Sequence, residues 1–143
     1  MTLIESVREF IKKCPYLDEF AKSINVEFLA EEFTSYTIET VPAETIVKKF
    51  VNGDAIKQFI FIFASRECYG SDVIQNIENS QFYEQFADWI YIENLNGNLP
   101  VLTGNKESMS LEVSTLGYPV QTSIDTAQYQ IQLKLKYFKK GEI

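Results

Sequence analysis

The run Phe59-Ile60-Phe61-Ile62-Phe63 limits the possible folds of this chain more than any other segment. Successive side chains of a strand point to opposite faces, so this strand is apolar on both sides and both sides need cover. It forms the second arm of a hairpin pattern. Thr45–Val51 and Ala55–Ala64 flank Asn52-Gly53, a dipeptide whose two positions both tolerate positive φ. The tip of that turn is expected to be exposed and to accept substitution at Asp54.

Other segments add elements around this hairpin. Thr2 followed by Glu5 has capping-box spacing, and Leu3, Val7, Phe10, Ile11 and Cys14 recur on one helical face that Pro15 terminates. Residues 16–33 read equally as helix (Leu17, Phe20, Ile24) or as a short extended piece (Val26, Phe28, Leu29). Phe33–Val41 alternates as a strand and Pro42 closes it. Ser71 or Asp72 can cap a second helix, with a break near Asn79 and a new cap at Ser80. Phe82, Phe86, Trp89 and Ile90 form its apolar stripe, and Glu84, Asp88 and Asn94 fall away from it. Asn96-Gly97 stops that helix. Ser108–Leu116 and Ala127–Phe138 are expected strands, joined through Gly117-Tyr118-Pro119 and a polar loop near Asp125. The last strand places Ile131, Leu133, Leu135 and Tyr137 on one face and Gln130, Gln132, Lys134 and Lys136 on the other. The expectation is one α+β domain over residues 1–143, with about five strands in an antiparallel or mixed sheet and two main helices on one face.

Length and composition fit that reading. A chain of 143 residues buries roughly 68–70% of its unfolded surface and needs no staples. The aromatic fraction of 14% favours a sheet-rich core or an adhesive surface. Met1-Thr2-Leu3-Ile4 runs straight into Glu5, Arg8 and Glu9, unlike a secretory leader. Apolar runs are too short to span a bilayer. Cytoplasmic synthesis with Cys14 and Cys68 as free thiols is therefore expected.

Charge and chemistry exclude several classes of function. The formal net charge is −7, and no window supplies the basic stripe that a nucleic-acid reader needs. The chain has no histidine, the usual general base and the commonest metal ligand. Glu31-Glu32, Glu84/Asp88 and Asp72/Glu78 are the available carboxylate pairs, and each reads more simply as solvated surface. The six glycines are scattered singly and form no phosphate loop. Neither catalysis nor a cofactor or metal is expected.

Charge is instead segregated. No basic residue occurs between Arg66 and Lys106, whereas the last strand and its end carry Lys134, Lys136, Lys139 and Lys140. Two unlike surfaces suggest a contact between subunits. Lys134 and Lys136 on the polar face of the last strand would meet a neighbour's acidic second helix, with Glu84 and Asp88 as the candidates, or an acidic loop of that neighbour. Tyr83 and Tyr91, which lie off the apolar stripe, could sit within that contact.

The segments NIENSQFYEQFADWI, NLPVL, LGYPV and AQYQIQLKLKYF, with the earlier IVKKFVNGDAIKQF, resemble the minor capsid or tail-terminator proteins of long-tailed bacteriophages or prophages of Gram-positive bacteria. The resemblance extends over most of the chain and rests on core and turn residues. Gln128 and Ala55 depart from its pattern. It implies a structural virion protein that closes into a homo-oligomeric ring, commonly six-fold. Such a ring caps the tail tube and meets the tail tube protein and the head–tail connector. Its place is the tail or neck of the virion, with no membrane and no specific nucleic acid as partner. The nearest alternative is another head–tail joining protein, a tail-completion or adaptor subunit. A small-molecule-binding module or enzyme is the more distant one.

Overall fold

A computed structural model describes residues 1–17, 24–26, 35–68, 73–122 and 126–141. The expected caps at Ser71 and Asp72 and the loop at Asp125 lie outside the described residues.

The frame is one long antiparallel pair. Strand β4 (Ala55–Cys68) and strand β7 (Thr126–Lys139) run in unbroken register from Ala55 opposite Lys139 to Cys68 opposite Thr126. Two strands share the free edge of β4: β2 (Ser35–Thr40) along its second half and β3 (Ile46–Lys49) along its start. On the far edge of β7, β5 (Lys106–Val113) and β6 (Tyr118–Thr122) divide the strand in the same way. The short β1 (Ile24–Val26) adds to β2 in parallel, the one parallel pair in a seven-stranded sheet among the described residues. The fold is α+β, with two more strands than the sequence reading expects. β1 is three residues long, and β6 contains Pro119, which cannot donate to a ladder and so reads as a turn.

Both helices lie on one face of this sheet. Helix α1 (Leu3–Ile11) begins where expected: the Thr2 hydroxyl accepts the Glu5 N–H at 3.2 Å. Its face of Val7, Phe10 and Ile11 is buried, and the Phe10 ring stacks on Trp89 of helix α2 (Val73–Leu95) at 5.1 Å between centroids. Helix α2 is continuous through Asn79, contrary to the expected break. Asn79 is a buried polar residue there, and helical packing overrides its local preference for a cap or turn. Past Leu95 the helix ends on Gly97 at φ 75°, while the Asn98 N–H returns to the Glu93 carbonyl.

Periodicity of two then fixes the core. Phe61 and Phe63 of β4, Ile131, Leu133 and Leu135 of β7, and Tyr36 and Ile38 of β2 are buried beneath the helices. The alternate residues Ile56, Ile60 and Ile62 of β4 point to the second face and are half-buried. The expectation that this strand is covered on both sides is therefore met on one side only among the described residues.

The hairpin forms, but with a different turn. The Phe50 N–H bonds the Asp54 carbonyl and the Gly53 N–H bonds the Phe50 carbonyl, so the loop is Val51-Asn52-Gly53, with Gly53 at φ 95°. This is a three-residue loop with glycine in the left-handed position. Asp54 is not a free tip. Its Oδ1 accepts the Gly141 N–H at 2.7 Å and its Oδ2 accepts the Asn52 amide at 3.1 Å, which ties the turn to the chain's far end.

Candidate subunit interface

The two charged surfaces inferred from sequence fall on opposite sides of the molecule. On β7, Ile131, Leu133 and Leu135 face the helices, so Lys134 and Lys136 face away from them. Lys134 lies opposite Ile60 of β4 and Glu112 of β5, and Lys136 lies opposite Gln58 and Ser110. Both lysines are half-buried. The ion pairs among the described residues are Arg8–Glu9 and Lys12–Glu9, so neither Lys134 nor Lys136 has an ion-pair partner among them. Around them the second sheet face offers Ile56, Ile60, Ile62 and Phe138, an apolar floor on which the two lysines share the face with Glu39, Glu107 and Glu112.

Helix α2 forms the other surface. Tyr83, Phe86 and Ile90 are buried against the sheet, which turns Glu84, Asp88 and Tyr91 outward. Tyr91 is 64% exposed, and Ile77, Ile92 and Leu95 share its outward side. A solvated helix face is normally polar, so this one has apolar residues in excess of that pattern. Beside Tyr91 a cavity of about 350 Å³ opens between α2 and β5, lined by Ile90, Asn94, Leu111 and Val113 among others. The Asn94 side chain holds the edge there by accepting the Leu111 N–H at 3.0 Å. Sequence reasoning leaves Ile77, Ile92 and Leu95 out of the surface, because apolar side chains on a helix read as core.

Tyr83 does not belong to this surface. It is 2% exposed, and its hydroxyl donates to the Tyr129 carbonyl at 3.1 Å. That leaves the Ser65 hydroxyl, 2.6 Å away, as donor to Tyr83. The apolar stripe is wider than the sequence reading draws it, and Tyr83 stands three residues before Phe86 and seven before Ile90, on the same side. Burial raises the phenol well above its ordinary pKa, and the Ser65 hydrogen bond opposes that rise. Tyr83→Phe should cost about 1–2 kcal/mol, measured by urea unfolding, because the Ser65 hydroxyl loses its buried acceptor. A raised folded-state pKa contributes stability that is full below the unfolded value of about 10 and is lost as pH climbs above it. The Phe variant should therefore fall less steeply in alkali.

The chemistry of the remaining groups is quiet. Cys14 is a buried free thiol, and burial pushes its pKa up to about 11, which keeps it protonated at neutral pH. Among the described residues no group of three potential metal ligands occurs, and no helix is long and apolar enough to cross a membrane. No protein-family model matches the chain, and no curated protein matches it significantly.

Proposed function

We propose that this chain is a structural virion protein of the tail-terminator or minor-capsid kind, a subunit that joins copies of itself head to tail into a ring. The observation that carries the reading is the placement of two unlike surfaces, each mixing apolar and charged side chains, on opposite sides of one sheet. Lys134 and Lys136 stand among isoleucines on one side, and Glu84 and Asp88 stand among Ile77, Tyr91, Ile92 and Leu95 on the other. A two-fold dimer brings one patch against its own copy, whereas two unlike patches join subunits in series, into a ring where the rotation between subunits closes and into an open filament where it does not. The apolar centres would supply the affinity, and the flanking charges would set encounter and register. The sequence resemblance supplies the setting: a ring on the end of a phage tail tube that presents a surface to the head–tail connector.

The test is a charge exchange scored on tail tubes by negative-stain microscopy and on the free protein by light scattering. Lys134→Glu with Lys136→Glu should abolish rings and tube capping while leaving the circular dichroism spectrum unchanged. Glu84→Lys with Asp88→Lys should do the same. The fourfold variant should recover assembly, because the attraction is restored with its sign reversed. Normal assembly by either double variant would show that these faces do not meet. Failure of the wild type to ring or cap at any concentration would remove the functional reading itself.

A further inference from the structure

The lysines missing from the middle of the sequence converge at one end of the sheet. β3, β4, β7 and β5 align there, with Lys49 opposite Ala55, Ala55 opposite Lys139, and Lys139 opposite Lys106. These positions share the sheet face that, further along, carries Phe61, Phe63, Leu133 and Leu135 beneath the helices. The same face therefore changes from apolar to cationic toward this end of the sheet. A cavity of about 470 Å³ opens there, within the range of small-molecule sites. Lys49, Lys57, Lys139 and Lys140 line it. No carboxylate and no aromatic ring is among its lining residues, and none of the four lysines has an ion-pair partner among the described residues.

Close-packed backbone sets the shape of this end. A Cβ on Gly141 would lie 2.4 Å from the carbonyl carbon of Gly53, so the hairpin turn and the end of β7 press together without side chains between them. The nearby carboxylate of Asp54 keeps its charge but turns its oxygens to the Gly141 N–H and the Asn52 amide, and it is not among the residues that line the cavity. Four like charges held around one concavity on a chain of net charge −7 repel one another until an anion enters.

We propose that this cavity binds a compact multivalent phosphate anion, the class represented by pyrophosphate and tripolyphosphate. Ammonium groups act on phosphate as point charges, so several of them favour a ligand with several adjacent negative oxygens. With no ring to stack on, a nucleobase adds nothing, and the recognised chemistry is the phosphate chain itself. A single concavity of this volume on an acidic protein also gives no advantage to a duplex. The inference is independent of the assembly reading, because Lys49, Lys57 and Lys139 lie on the opposite sheet face from Lys134 and Lys136.

The experiment is calorimetric titration of the full chain with tripolyphosphate, first at low salt and then with added sodium chloride. Saturable binding that weakens with salt is expected, since exposed charges are screened within about 10 Å at 0.1 M. Lys57→Gln with Lys139→Gln should weaken it at least about tenfold, with an unchanged circular dichroism spectrum. Lys134→Gln with Lys136→Gln removes the same charge from the other face and should leave the affinity within about twofold. ATP should bind no more tightly than tripolyphosphate, and a short random duplex should bind more weakly. Equal losses in the two double variants would mean diffuse attraction and would overturn the site. So would no binding by the wild type at low salt, a clear preference for ATP, or tighter binding of the duplex.

Discussion

Phe86→Ala is expected to lose about 3–5 kcal/mol of stability, the range for truncating a fully buried aromatic ring. Phe86 is fully buried where helix α2 meets the sheet. Its ring stacks on Phe63 of β4 with centroids 4.8 Å apart and planes 11° apart. Phe82 and Trp89 of the same helix approach it at 6.3 and 6.1 Å. Removing the ring leaves a cavity bounded by the sheet on one side and the helix backbone on the other, neither of which can collapse freely. The aromatic pair adds about 0.5–1.5 kcal/mol to the area term. Urea unfolding should show a lower midpoint with an unchanged slope, the sign of a stability change within one cooperative unit. Trp89→Ala provides the comparison. Trp89 is half-buried and stacks on Phe10 of α1, so its truncation should cost less. A larger loss at Trp89 than at Phe86 would place the main helix–sheet contact elsewhere.

What could be read from the sequence divides by the range of the interaction. Local signals carried through: the Thr2 cap, the helical stripe through Phe86 and Ile90, and the alternation of the last strand each depend on residues a few positions apart. The hairpin was legible for the same reason, although the turn closed around three residues and Asp54 acquired a partner 87 positions away. The assignment of Tyr83 to the surface failed because the apolar stripe is wider than the sequence reading draws it. Helical spacing puts Tyr83 beside Phe86 and Ile90, while the Ser65 and Tyr129 partners that satisfy its hydroxyl lie far along the chain on β4 and β7. β6 was hidden by Pro119, which marks a turn locally and is tolerated on a strand that borders only β7. For the candidate surfaces, the two lysines and two acids could be read from charge alone. The apolar residues around them could not, because only the packing of α2 on one sheet face shows that Ile92 and Leu95 point outward. The lysine cavity had no sequence signal, since Lys49, Lys57 and Lys139 meet only through the register of three strands.

Gly117→Ala should destabilise the protein by about 3 kcal/mol, the upper end of overpacking costs, even though the change adds one methyl group. The reason is close approach. A Cβ built on Gly117 would lie 2.4 Å from both Cβ and Cγ of Tyr83. Those atoms cannot move aside, because Cβ is fixed to the helix backbone and the phenol is held by Ser65 and Tyr129. Either the chain leading into β6 must lift or α2 must shift, and each movement disturbs the buried hydrogen bonds of Tyr83. For a domain of this size the loss corresponds to a melting temperature lower by about 10 °C. Gly104→Ala separates this effect from the general difficulty of replacing glycine. Gly104 has φ 74° with nothing within 4 Å of its added methyl, so it reports left-handed backbone strain alone, about 1–2 kcal/mol. The double variant Gly117→Ala with Tyr83→Gly should recover much of the Gly117 term relative to Tyr83→Gly alone, because both the obstructing Cβ and the ring are gone. If Gly117→Ala costs no more than Gly104→Ala, and shows no coupling to position 83, then the entry to β6 does not rest on the helix.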